Sequence, residues 1–307
     1  MNGMTTHSAE HDTVIFSISV EDDHFHSLPL TRLQSVVLPV LVIKPDTVER
    51  IGTAFMIAKH GVLLTAGHVV LEAQRMVDES PGSWAAVLWI HPDFGPNDSQ
   101  LIGGPVPVRF MHFSTDHDVA AIQIPQVLQN GKPIDYPTVA LDMRTPETDS
   151  RIFGVGYTKM TVTRFQNSPE LLDVCVDQSI HGSDGSIVEV FRTKRDSSMM
   201  PFPSFQTTAR FDPGMSGGPT FSGSSGRVCG LICTGFTESD VPDDGHTSFG
   251  AMIVNAFGLP VVLNTATGET ASILDLIQSG HVNGDQNFAA AHISKSEDGH
   301  IDLWLPE

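Results

Sequence analysis

Three residues whose types could together build an activated nucleophile each sit in a local sequence suited to the task. Ser216 lies in Gly214-Met-Ser-Gly-Gly-Pro219, Asp118 in Asp116-His-Asp-Val-Ala-Ala-Ile122, and His68 in Leu63-Leu-Thr-Ala-Gly-His-Val-Val70. A serine hydroxyl attacks poorly until a base takes its proton. An imidazole base in turn needs a carboxylate to set its tautomer and stabilise the imidazolium. The chain supplies these groups in the order His, Asp, Ser, with spacings of 50 and 98 residues. Histidine can accept a hydroxyl proton and return it to a leaving amine near pH 7. Asp116 is the alternative acid. The glycines around Ser216 also have a chemical reading. Gly214 and Ser216 would aim backbone N–H groups at a developing oxyanion, worth about 3–4 kcal/mol per donor. Gly217 and Gly218 allow backbone geometry that side chains would block.

Such groups need a rigid frame, and the pattern around them is one of short strands. Apolar runs at 36–43, 52–57, 61–65, 84–90 and 119–124 are separated by turn residues at spacings suited to β-barrels. A Pro-rich polar stretch at 125–150 leads to a second set at 152–156, 172–176, 187–191, 228–233 and 248–254. The expected class is all-β. An N-terminal extension (1–34), with a strand at 13–20 and a polar break at 21–26, precedes a first barrel (35–140) carrying His68 and Asp118. A second barrel (141–265) carries Ser216, and a C-terminal helix and tail follow (266–307). The helix is expected at 270–279, with Ile273, Leu274 and Ile277 on one face and a stop at Gly280. Asp298-Gly299 predicts a hairpin turn.

Composition narrows the function. With 36 acidic and 17 basic residues the net charge is −19, which repels phosphate backbones and anionic membranes and so excludes nucleic acid as the main ligand. No apolar run reaches the ~18 residues of a membrane helix, and residues 1–13 lack the pattern of a secretory signal. Cys229 and Cys233, about 13 Å apart along one strand, are too distant to bridge. Cys175 could pair with one of them, but reduced thiols and a cytoplasmic setting are the expectation. His24/His26 and His112/His117 read as surface residues, and no zinc-type spacing occurs, so no metal is expected. Gly154-Val-Gly156 lacks the third glycine of a dinucleotide loop and reads as a strand, so no cofactor is expected.

The three motifs resemble those of trypsin-like serine proteases. The run Gly52-Thr-Ala-Phe-Met-Ile57 with 61–70 resembles the strand pair that delivers the family's histidine. Asp-Val-Ala-x-Ile resembles the surroundings of its acid, and His, Asp, Ser is its chain order. Asp212-Pro-Gly before Met215-Ser216 is similar to the serine region of the high-temperature-requirement branch. The resemblance covers roughly residues 36–262. It implies two six-stranded antiparallel chymotrypsin-like barrels and a serine endopeptidase acting on protein or peptide through an acyl-enzyme. The flanking cysteines of secreted relatives are missing, in agreement with a reduced compartment. About 45 residues follow the second barrel, too few for that branch's peptide-binding domain, which favours limited cleavage of a dedicated protein. The alternative is a protease-fold binding module without turnover. Gly230-Leu-Ile-Cys-Thr-Gly235 resembles the strand that pairs with substrate, so Cys233, Thr234 and Gly235 would form its edge and one wall of the primary pocket. Arg210, six residues before Ser216, would lie at the pocket base, or point outward to solvent or an acid. In secreted relatives an Asp precedes the nucleophile and receives a new terminal ammonium. Met215 cannot, so no cut within residues 1–50 should be needed. Local packing, a substrate or an activating protein partner would order the loop instead.

Overall fold

The computed structural model describes residues 25–27, 32–90, 103–114, 116–129, 131–167, 172–236, 247–284, 292–295 and 301–304. The expected strand at 13–20 lies outside them. A short strand, β1 (Phe25–Ser27), falls within the end of the expected polar break and pairs with a strand of the second lobe.

The first lobe is one antiparallel sheet of seven strands: β2 (Val37–Ile43), β3 (Val48–Ala58), β4 (Val62–Ala66), β5 (Trp84–Ile90), β6 (Gly103–Pro107), β7 (Phe110–Ser114) and β8 (Val119–Gln123). Their order in space is β6-β5-β2-β3-β4-β8-β7. Among the described residues no pairing joins β6 to β7, so the sheet curls without closing, where a closed six-stranded barrel was expected. Strands β6 and β7 escape the sequence pattern because Gly103-Gly-Pro-Val-Pro107 is poor in strand formers and β7 lacks polar alternation.

Between β4 and β5 the chain forms a helix, α1 (Gly67–Glu79), which the strand pattern does not announce. Val69, Val70 and Ala73 give it a narrow buried stripe, while Glu72 and Glu79 hold Arg75 on the exposed face. After β8 a minimal hairpin, β9 (Leu128–Gln129) with β10 (Lys132–Pro133), interrupts the connection to the second lobe.

That lobe contains β11 (Arg151–Asn167), β12 (Leu172–Phe191), β13 (Ser204–Thr207), β14 (Pro219–Ser222), β15 (Val228–Phe236) and β16 (Thr247–Met252). The six close into a barrel, β12-β11-β14-β15-β16-β13, because β13 also pairs with β12. Two expected strands, 172–176 and 187–191, are one strand of 20 residues. The polar stretch between them reads locally as turns, yet continuous pairing to β11 holds it extended. The outer half of this long hairpin reaches the first lobe. There Met160, Val162, Phe165 and Val174 pack on Leu41, Ile43, Val48, Ala86 and Leu88. Leu41 and Ile43, two apart, share a strand face, which is why β2 is buried throughout.

A further pairing, β17 (Pro260–Asn264) with β18 (Glu269–Ser272), takes up the first residues of the expected helix. The helix α2 (Ile273–Gln278) starts at Ser272, whose hydroxyl accepts from Asp275 N–H while the Asp275 carboxylate accepts from Ser272 N–H. Beyond it β19 (His292–Lys295) pairs with β20 (Ile301–Trp304), as the hairpin reading required, though Asp298-Gly299 lies outside the described residues.

Candidate active site

His68 is the second residue of α1, and Asp118 is the last before β8. Strands β4 and β8 are neighbours, with Ala66 opposite Val119, so pairing brings these chain-distant residues together. Asp118 holds a left-handed backbone (φ 46°), which a short polar side chain tolerates. Both carboxylate oxygens lie 3.0 Å from His68 Nδ1. One also accepts the His68 backbone N–H at 2.9 Å, satisfying a donor that a helix start leaves open. The same carboxylate therefore fixes the ring and the end of the helix carrying it. Asp116 is exposed, and the carboxylate that holds the His68 ring is that of Asp118.

Ser216 sits between the lobes. Its carbonyl accepts Thr53 N–H of β3 at 2.9 Å, and its hydroxyl donates to Cys233 O of β15 at 3.3 Å. The surrounding N–H groups are mostly committed: Met215 to Asp212 O, Gly217 to Ile232 O and Gly218 to Met215 O. Those of Gly214 and Ser216 have no acceptor among the described residues. Two open donors thus lie in the serine loop, on either side of Met215, and the turn carrying them needs Gly214, whose φ is +95°.

Thr53, which the sequence reading passed over, organises this loop. It is fully buried, and its hydroxyl donates to Gly214 O at 2.9 Å while accepting Tyr157 N–H at 3.0 Å. A threonine in a strand carries no local sign of such partners. Met215 is also fully buried, among Ile152, Phe205, Phe211 and Ile232, and its sulfur accepts Asp212 N–H at 3.4 Å.

The substrate-side expectations resolve unevenly. Cys233 occupies a register shift between Ile232 and Thr234, where a strand re-aims its side chain. Its thiol is buried and approaches Asp118. Burial first, and then the Asp118 charge and hydrogen bond, push its pKa well up. Partner strand β14 pairs only as far as Leu231, so Cys233, Thr234 and Gly235 present an edge with no strand on it among the described residues. Arg210 pairs bidentately with Asp212 at 2.7 and 2.8 Å and is half-exposed, the outward arrangement and not that of an open cation at a pocket base. Across from it Gly235 lies against the Phe211 carbonyl oxygen, and Phe211 N–H donates to Ser248 Oγ at 3.1 Å. The two segments expected to form the wall and base of the pocket therefore touch at Gly235 and Phe211.

Among the described residues no cluster of three or more His, Cys, Asp or Glu could hold a metal ion, and no helix is long and apolar enough to cross a membrane. His112, expected at the surface, is half-buried with a Nε2 that has no hydrogen-bond partner among the described residues, and His117 bonds Ser114 at 3.0 Å.

A family model described as a trypsin-like peptidase domain matches residues 52–231, more than half of the chain. Solved structures are similar at low identity. Deg5 is 17% identical with a TM-score of 0.46, covering 73% of this chain and 86% of its own. The Rv3671c protease from M. tuberculosis in its active form is 15% identical with a TM-score of 0.45, covering 80% and 92%. No curated protein matches the sequence significantly.

Proposed function

The chain belongs to the trypsin-like peptidase domain family, and from that premise we propose that it is a serine endopeptidase using Ser216, His68 and Asp118. The observation that carries the reading is the His68–Asp118 pair at 3.0 Å together with the two open N–H groups on either side of Met215. Substrate would pair along Cys233 to Gly235 and present its carbonyl to Ser216. The Ser216 hydroxyl, resting on Cys233 O, would turn to His68 Nε2 and give up its proton as Oγ attacks the carbonyl carbon. Gly214 and Ser216 N–H would hold the resulting oxyanion. Protonated His68, steadied by Asp118, would return the proton to the leaving amine. Water activated by the same imidazole would then release the acyl group from Ser216.

The contact between Gly235 and Phe211 supports limited cleavage over general degradation. The buried Met215 and the Thr53 contacts support a loop ordered by packing in the uncut chain, so cleavage before Gly52 is not needed for activity. An activating protein partner and a cytoplasmic, reducing setting belong to the same proposal, the latter on two buried free thiols, Cys229 and Cys233. The test is labelling with a fluorophosphonate probe alongside an unbiased cleavage-site profile of the full-length chain. Labelling at Ser216 with peptide turnover is expected. A native chain that binds peptides but neither labels nor cleaves would be the inactive binding module instead.

A further inference from the structure

Arg50 stands out because its charge has no counterpart among the described residues. It lies on β3, half-buried, in a chain with 36 acidic residues. Its guanidinium donates to two backbone carbonyls of β11, Tyr157 O and, at 2.9 Å, Thr158 O. Those bonds use two of five N–H donors. Among the described residues it forms no ion pair, and the remaining donors have no acceptor. Burial lowers its pKa without any opposing carboxylate to raise it, yet a guanidinium stays charged in water-exposed proteins. Its position is also specific. It rests on Gly214, so closely that a Cβ built there would collide with the guanidinium. Two residues on, a Cβ on Gly52 would stand 3.0 Å from Ser216 O.

The direction of a bound substrate follows from this geometry and rests on the peptidase reading above. The acyl half of the substrate would lie along Cys233 to Gly235, on the side where Ser216 Oγ touches Cys233 O. Gly214, with Arg50 against it, is tied to Thr53 of β3 and not to that edge, so the leaving half would pass on its side. We propose that Arg50 is a binding residue for an acidic side chain on the leaving-group side, within the first two residues after the cleaved bond. A carboxylate there would meet a fixed, partly desolvated guanidinium with open donors, and charge-assisted bonds of this kind are the strong ones. The net charge of −19 would otherwise repel an acidic segment, so the preference must be local and short-ranged.

The experiment starts from a peptide that the full-length protein cleaves, made with Glu, Gln or Lys at each of the first two positions after the bond. For wild type, kcat/KM should favour Glu over Gln by about tenfold at one of them, as a charged hydrogen bond implies, with Lys worst. In Arg50→Gln the Glu-to-Gln ratio should fall to about one whatever happens to the absolute rate, and Arg50→Lys should keep part of it. A purely structural Arg50 would lower every peptide alike and leave the ratio unchanged, overturning the proposal. So would a wild-type ratio near one, a measurement that needs no variant to fold. Either result leaves the peptidase reading standing. A chain that reacts with neither probe nor peptide removes both.

Discussion

Replacing Thr53 with valine should damage turnover without touching Ser216, His68 or Asp118. The change keeps the side-chain shape and removes one hydroxyl, which is fully buried and satisfies two groups at once. Without it, Gly214 C=O and Tyr157 N–H lose partners at 2.9 and 3.0 Å, the second of them fully buried. Each orphaned group costs about 1–3 kcal/mol, so the pair can weaken the native arrangement by roughly 2–6 kcal/mol. The backbone bond from Thr53 N–H to Ser216 O remains, so the nucleophile keeps its anchor while the Gly214 turn is released. The strain should appear where it is easiest to relieve, as drift of the turn that aims the oxyanion donors. We expect kcat for a peptide substrate to fall about 10–100-fold with a smaller change in KM, since the lost contact acts through the transition state. Melting should drop by about 3–9 °C, at roughly 1.5 °C per kcal/mol for 307 residues with an unfolding entropy of about 2.1 cal/mol/K each. Thr53→Ser, which restores the hydroxyl, should recover most of kcat. Wild-type kcat and melting in Thr53→Val would show that the hydroxyl does not hold the loop. A loss in Thr53→Ser with none in Thr53→Val, which keeps the methyl group, would assign the effect to packing of that methyl.

Three further outcomes follow from the same geometry. Asp118→Asn should keep the fold and lower kcat about 10⁴-fold, because an amide favours the wrong imidazole tautomer; a loss under tenfold in steady-state kinetics would remove Asp118 from the reaction. If Gly235 and Phe211 line the primary pocket as proposed, their contact leaves room only for small residues, so a cleavage-site profile should show Gly, Ala or Ser before the cut bond, and a preference for Phe, Leu or Arg would contradict it. Burial pushes the Cys229 thiol from 9.0 up to about 12, so the native state holds a proton that the unfolded thiol releases. Its contribution is complete below the unfolded pKa and is lost as pH rises toward 12. Urea midpoints should therefore fall less between pH 8 and pH 10.5 in Cys229→Ala than in wild type, and peptide mapping should find native Cys229 unalkylated at pH 8.

Much of the frame was legible because strands declare themselves through local apolar runs. Val37–Ile43 and Trp84–Ile90 lie where those runs place them. Strand β14 and the helix α1 were missed. The first is only four residues long, and the second hides its narrow stripe of Val69, Val70 and Ala73 behind a strand-like Val-Val. Beads of Gly, Ser and Asp inside Leu172–Phe191 look like turns until β11 pairs with them. Whether a sheet closes is not a local property at all. The β13–β12 pairing closes the second lobe, whereas the described strands of the first end at β6 and β7.

By itself the sequence determined which chemical groups are available and which backbone shapes surround them. Ser216 between glycines and His68 after Ala66-Gly67 are identifiable alone, because side-chain chemistry and glycine freedom are properties of single residues and their neighbours. Only the tertiary structure decided what those groups meet. Thr53 reaches Gly214 across 161 residues, and Arg50 reaches Thr158 across 108. Arg210 pairs with Asp212 two residues away, a partner that the sequence left open beside solvent and the pocket base. A hydrogen bond is set by a separation of about 3 Å and an angle, and between residues this far apart in the chain those quantities exist only once the two lobes have folded against each other.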